Sequence, residues 1–158
     1  MFIEVKVGAL IMDPNSNTPI VVLKGVNEDV ILPIWVGAYE ANAIALEIEK
    51  IVPQRPMTHD LLRNIITEMR CEVAKISVTD LIDNTFYAVI EISDKEGKIT
   101  SLDARPSDAI ALALRTDCPI FVAQKVLDIS NASSTNQSQI EEMNDTEKPL
   151  EEWPDLIG

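Results

Sequence analysis

The sequence predicts an α+β domain in which a mostly antiparallel sheet packs against helices. Short runs rich in Val and Ile follow one another along the chain, and the first of them alternates apolar Ile3, Val5 and Val7 with polar residues. These runs come in groups of three, and a helical pattern follows each group. Strands that occur in runs favour an antiparallel sheet over a doubly wound parallel one, in which strands and helices alternate.

The predicted elements are separated by residues typical of turns. Asp13–Asn17, Asp83-Asn84 and Asp94–Gly97 mark three of the turns, and Pro53 and Pro56 interrupt the helical pattern that precedes them. The resulting order is strands at 2–12, 19–24 and 29–36, helices at 38–50 and 58–70, strands at 71–79, 85–92 and 98–103, a helix at 106–116 and a short strand at 119–123.

Two of the helices have distinctive patterns. The helix at 58–70 carries one apolar stripe, with Thr58 as a candidate cap and Asp60 suited to the positive end of the helix dipole; the stripe consists of Leu61, Leu62, Ile65, Ile66 and Met69. The helix at 106–116 begins at Pro106 and is apolar nearly all round, so it should be buried on most sides. In so small a domain, such burial needs the other half of the chain or a partner subunit, and we therefore expect a homo-oligomer.

The order of elements contains a possible repeat. Three strands and a helix occur twice, and at an offset of 66 the run Ala43–Leu46 falls on Ala109–Leu112. Five of the 18 positions in 33–50 are identical to those in 99–116. Chance similarity between two apolar helices is the alternative, but the matching order of elements favours an internal duplication of a β-β-β-α unit.

The composition divides the chain into a domain at 1–128 and a polar linker with an acidic tail at 129–158. The net charge is -13; residues 1–130 contain 19 acidic and 12 basic side chains, whereas residues 131–158 contain 7 and 1. An acidic surface disfavours phosphate backbones, because nucleic-acid affinity comes largely from Lys and Arg. The tail is either a solvated segment or a docking motif that binds a protein partner through Trp153 and Leu156.

The sequence favours a cytoplasmic location without membrane association. The residues after Met1 show no basic segment followed by a long apolar run, so we predict no signal peptide. The uninterrupted apolar stretches are too short to span a bilayer.

Three groups of polar residues are candidates for chemistry. Arg55–Asp60 contains His59, the only histidine, at a helix start where exposed N–H groups favour an anion; the alternative is an incidental residue beside a cap. Asp103–Asp108 joins a strand to a helix, and its aspartates suit a divalent cation, although Ser107 and Asp108 are also ordinary capping residues. Glu40 and Glu47 lie on one helical face, where acidic residues are usually just solvated.

Three segments together resemble the bifunctional nuclease family of bacteria and plants. They are Pro33–Gly37, Arg55–Leu61 and, above all, the long motif Asp103–Arg115. The resemblance covers roughly residues 1–128 and leaves out the tail. It implies an α+β domain with both DNase and RNase activity.

The resemblance leads to the hypothesis of metal-assisted phosphodiester hydrolysis with low base specificity. Catalysis would fall to His59, as acid or base, with Asp60 and Asp108. Arg55, Arg105 and Ser107 would bind the substrate phosphate, and Mg²⁺ or Mn²⁺ would be held by Asp103, Asp108 and Glu40. The alternative is a non-catalytic module that binds an anion or a nucleotide, or that regulates a partner; the acidic charge favours this second reading, and a purely structural subunit is a third.

Overall fold

The computed structural model of the chain describes residues 1–132, which form seven strands and four helices. The strands are β1 (Phe2–Met12), β2 (Pro19–Gly25), β3 (Ile31–Trp35), β4 (Glu72–Ile82), β5 (Thr85–Ser93), β6 (Ile99–Ala104) and β7 (Ile120–Ala123). The helices are α1 (Ala38–Ile48), α2 (Thr58–Glu68), α3 (Pro106–Thr116) and α4 (Gln124–Ala132).

All seven strands belong to one sheet in the order β3-β2-β1-β7-β4-β5-β6. Two antiparallel meanders, β1-β2-β3 and β4-β5-β6, flank the short strand β7. β7 runs antiparallel to β1 and parallel to β4. The predicted α+β fold with a mostly antiparallel sheet is confirmed.

Local chemistry explains the turn between β4 and β5. The two connecting residues, Asp83 and Asn84, have φ angles of 49° and 61°. A two-residue hairpin loop with positive φ at both positions matches the twist of the strands, and Asp and Asn tolerate this conformation better than most residues. The predicted turn at Asp83-Asn84 is confirmed.

The core lies between the sheet and the helices. In β2 the consecutive residues Pro19–Leu23 are all buried, and Ile76–Val78 of β4 are buried too, so both faces of these strands are covered. α3 packs against α1, α2, β4 and β5, and nearly all its residues are buried within the one chain. The apolar surface of α3 is therefore buried without a partner subunit. The homo-oligomer stays a prediction, but the burial of this helix no longer supports it.

Four of the five residues in the apolar stripe of α2 face outward, whereas Ile66 packs against the core. Leu61, Leu62, Ile65 and Met69 are between 41% and 71% exposed, and the only buried residue of the helix is His59. The N-cap is Met57 rather than Thr58, and its backbone N–H donates to Oδ2 of Asp60 at 3.0 Å. The start of α2 is thus packed more closely against the rest of the domain than the stripe is.

The sequence did not predict α4, which extends beyond residue 128, the predicted end of the domain. Its polar sequence hides two fully buried residues, Val126 and Leu127, and the helix packs against β4 and β7. The predicted docking motif around Trp153 lies outside the described residues. Within residues 1–132, no helix combines the length and the hydropathy needed to cross a membrane.

The order of elements repeats as predicted, but the sequence match behind the duplication is out of register. α1 and α3 begin at Ala38 and Pro106, which are 68 residues apart, whereas the identities occur at an offset of 66. The identical residues therefore do not occupy equivalent positions in the two helices. The duplication stays a prediction that depends on the order of elements alone.

Candidate active site at the helix starts

The first turns of α1, α2 and α3 supply the side chains of the candidate site. Arg105 is the N-cap of α3, with Pro106 as the first helical residue, and Asp108 lies in the first turn. Glu40 occupies the first turn of α1, and His59 that of α2. Helices α1 and α2 both pack against α3. Residues that are far apart in the sequence are thereby brought together at one end of the helical layer.

Asp108 connects the site. Its Oδ1 lies 2.9 Å from Nε2 of His59, and its Oδ2 accepts a hydrogen bond of 2.8 Å from Nε of Arg105. Burial acts to raise the pKa of Asp108, but the hydrogen bonds and charges of Arg105 and His59 outweigh it and hold this pKa below its ordinary value. Asp108 is therefore an ionised acceptor at neutral pH, not a simple cap.

Arg105 joins two carboxylates from different helices. Besides Asp108, it binds Glu40, whose Oε1 lies 2.8 Å from Nη2. The hydrogen bond to Asp108, the charge of Asp108 and the contacts with Glu40 raise the pKa of Arg105. Its side chain is 66% exposed, whereas that of Glu40 is only 16% exposed. Glu40 and Asp108 thus hold the guanidinium from the protein side, while the rest of the group is exposed to solvent.

His59 is buried on the side that faces Asp108. The imidazole makes no hydrogen bond through Nδ1 to any residue in 1–132, and no buried side-chain nitrogen or oxygen of this region lacks a partner. In the neutral tautomer that carries its proton on Nε2 and donates to Asp108, Nδ1 has a lone pair that can accept a proton.

Both carboxylate oxygens of Asp60 are bound by groups inside the protein. Its Oδ1 accepts from Nε of Arg115 at 2.8 Å, and its Oδ2 accepts from the backbone N–H of Met57 at 3.0 Å. Burial acts to raise the pKa of Asp60, but these two hydrogen bonds outweigh it and lower the pKa. Both carboxylate oxygens are engaged inside the protein, so Asp60 supports α2, and its catalytic role stays a prediction.

The remaining predicted residues do not join the cluster. Arg55 is exposed in the segment between α1 and α2 and makes no hydrogen bond or ion pair with any described residue. Asp103 is exposed on β6, opposite Val89 of β5. Ser107 is buried at 6% exposure, which is a poor position for direct contact with a polymer. Of the predicted set, the structure unites His59, Arg105, Asp108 and Glu40.

The predicted metal ligands are not assembled. Within residues 1–132, no group of three or more His, Cys, Asp or Glu side chains is arranged to hold a metal ion. Glu40 and Asp108 both bind the guanidinium of Arg105, and Asp103 lies outside this group, on β6. The side chains present therefore do not fit a three-ligand metal site in this conformation.

Sequence reasoning missed Arg115, which supports the site from behind. The side chain is only 2% exposed, and it donates to Asp60 and to the backbone oxygens of Ala43 and Ala111. A single arginine at the end of an otherwise apolar helix was the signal that could have revealed it. Such a cation has to be paired when it is buried.

One cleft of the described region lies away from these side chains. It has a volume of about 430 Å³ and is lined by Glu47, Lys50, Leu114, Asp117 and Cys118, near the C-terminal ends of α1 and α3. Glu47 thus belongs to a surface distinct from that of Glu40, although both lie on α1.

Comparison with known proteins identifies the family of this domain. A model of the bifunctional nuclease domain matches residues 21–135. An uncharacterized protein of Mycobacterium tuberculosis is 42% identical over 124 residues, which cover 78% of this chain and 73% of that protein. Bifunctional nuclease 1 of Oryza sativa subsp. japonica is 26% identical over 100 residues, 62% of this chain and 30% of the relative.

A second plant relative gives a similar result. Bifunctional nuclease 2 of Arabidopsis thaliana is 29% identical over 94 residues, which cover 58% of this chain and 29% of the plant protein. The matched domain includes all four residues of the candidate site and Arg115. The chain therefore belongs to the bifunctional nuclease domain family.

Proposed function

We propose that this protein hydrolyses phosphodiester bonds in DNA and RNA with low base specificity. The observation that carries the proposal is the contact of Asp108 with both His59, at 2.9 Å, and Arg105, at 2.8 Å. It joins a buried proton acceptor to an exposed cation that suits a phosphate. Two plant relatives that bear the name bifunctional nuclease add support from the family.

The proposed roles follow from the environment of each side chain. Asp108 orients the imidazole of His59 through Nε2, and Nδ1 takes a proton from the attacking water. Arg105 binds the non-bridging oxygens of the phosphate, in the bound substrate as in the transition state. Contacts with the backbone phosphate carry no sequence information, which accounts for low base specificity.

A divalent cation, Mg²⁺ or Mn²⁺, stays part of the proposal as a requirement to be tested. We assign no step to it, because the carboxylates of the site are bound to Arg105 rather than grouped around a cavity. The experiment is cleavage of labelled oligonucleotides in EDTA, followed by titration with each metal.

The proposal is tested by assays of purified protein on labelled single-stranded DNA and RNA. His59→Ala and Asp108→Ala should each reduce the rate by about 100-fold or more without loss of the fold, because they remove the proton acceptor or its orientation. The matched control is Asp80→Ala, since Asp80 also pairs with a cation, Lys125, and its side chain is 32% exposed against 28% for Asp108. Cleavage that persists in a His59→Ala/Asp108→Ala double variant would show that a contaminant is responsible.

One observation favours a second candidate function, a non-catalytic module that binds an anion or a nucleotide. Residues 1–130 contain seven more acidic than basic side chains, and Arg105 is flanked by two carboxylates. Such a surface attracts a long polyanion less than a single phosphate group. Saturable binding of a mononucleotide, lost in Arg105→Ala, without cleavage of any polymer would support this function over hydrolysis.

A further inference from the structure

The carboxylate of Glu40 occupies a recess that exists because residue 37 is glycine. A β-carbon on Gly37 would overlap Oε2 of Glu40. The backbone of Gly37 has φ -71° and ψ 158°, which any residue type adopts without strain. The space that Glu40 needs, rather than an unusual backbone conformation, therefore explains glycine at this position.

From this recess, Glu40 determines how Arg105 is oriented. Its Oε1 lies 2.8 Å from Nη2 of Arg105, while Asp108 accepts from Nε at 2.8 Å. A guanidinium has five N–H donors in one plane. Two are used by these carboxylates, and the other three have no partner among residues 1–132, on a side chain that is 66% exposed. The plane of the guanidinium is thus fixed at two points with its remaining donors free.

We propose that Gly37 and Glu40 are positioning residues, which preset Arg105 as a fork for a phosphate group. The inference rests on the proposed function, because it assigns the phosphate of the substrate to the three free donors. A planar fork that is already oriented loses little rotamer freedom when two parallel hydrogen bonds to a phosphate form. The segment Pro33–Gly37 thereby contributes to the site, because the missing side chain of Gly37 leaves space for the carboxylate of Glu40.

The variant Gly37→Ala tests the inference, because its methyl group displaces the Glu40 carboxylate. We expect KM for a short oligonucleotide to rise by about tenfold to a hundredfold through misplacement of Arg105, with kcat nearly unchanged. In the double variant Gly37→Ala/Glu40→Asp the shorter acid fits beside the new methyl, and KM should return towards the original value. The matched control is Gly8→Ala, where the atoms nearest to the added methyl belong to the flexible side chain of Lys24, far from the candidate site, so KM should not change.

Two further measurements separate this inference from the proposed function. Thermal unfolding checks that the variants fold, and Glu40→Gln, which keeps the shape of the side chain, should weaken binding in the same way. The ¹⁵N NMR signals of the Arg105 guanidinium, recorded during titration with inorganic phosphate, report positioning without any need for cleavage. Signals and phosphate affinity that are the same in Gly37→Ala and wild type overturn the positioning role. If wild type binds phosphate through Arg105 but cleaves no nucleic acid, only the hydrolytic function is overturned.

Discussion

Arg115 and Asp60 form an ion pair that is almost completely withdrawn from water. Nε of Arg115 lies 2.8 Å from Oδ1 of Asp60, and the two side chains are 2% and 13% exposed. Arg115 also donates to the backbone oxygens of Ala43 and Ala111. One side chain of α3 therefore binds α1 and the start of α2, the two elements that carry Glu40 and His59.

Replacing Arg115 with methionine should destabilise the protein by about 3–5 kcal/mol, because the carboxylate of Asp60 would stay buried without its partner. Urea unfolding followed by circular dichroism measures the change. The control Lys125→Met removes the exposed pair with Asp80 and should cost less than about 1 kcal/mol. The double variant Asp60→Asn/Arg115→Met should lose less than the sum of the single changes; a simple sum would argue against coupling.

Stability should fall in acid because of Asp60. Its pKa is below the ordinary value of 3.8 in the folded protein, so the folded state binds this proton more weakly than the unfolded state. The stabilisation is complete above the unfolded pKa and disappears as the pH falls through 3.8 towards the lower folded value. The stability difference between wild type and Asp60→Asn should therefore shrink between about pH 5 and pH 3 in urea titrations. A difference that is constant across this range would contradict the assignment.

Arg105→Lys should reduce activity, although lysine keeps the positive charge. An ammonium is a point donor and cannot maintain the planar contacts with Glu40 and Asp108 while it binds a phosphate. We expect kcat/KM on oligonucleotides to fall by about tenfold or more, mainly through KM. Lys75→Arg, at an ion pair with Glu91 on the sheet, is a control that should leave kcat/KM unchanged. Equal values for Arg105→Lys and wild type would show that only the charge matters.

The outward stripe of α2 should contribute little to stability. Ile65→Ala, at 50% exposure, should change the free energy of unfolding by about 0.5 kcal/mol or less, whereas Ile110→Ala in the fully buried part of α3 should cost about 2–5 kcal/mol. The two substitutions are a matched pair, because each replaces an isoleucine with alanine within a helix of 11 residues. Measurement at two protein concentrations extends the test. A large effect of Ile65→Ala that grows with concentration would show that copies of the chain bury the stripe.

The elements of the fold could be predicted because their signals are local. The strand at 2–12 and the helix at 106–116 have the predicted bounds, since alternation and Pro106 act within a few residues. α4 was missed because only Val126 and Leu127 anchor it, and two buried residues do not make a recognisable period. The outward direction of the α2 stripe depends on packing against α3, which no local pattern contains.

The site could be predicted in part. His59, Arg105, Asp108 and Glu40 were found from residue type and position at helix starts, but their connection through one arginine depends on tertiary distances. The same dependence explains why the ion pair of Asp60 could not be foreseen. The partner that occupies its carboxylate is 55 residues away, at a position where the sequence shows only the end of an apolar helix.

The position of β7 has a consequence for how the chain folds. This strand of four residues joins the two meanders, because it pairs with β1 on one side and β4 on the other. The sheet is complete only when β7 pairs with β1, a contact of very long sequence separation, and we expect this contact to form in the transition state. During synthesis, the N-terminal meander would leave the ribosome with an unpaired edge along β1. Substitutions in β7 should therefore slow folding more than they speed unfolding.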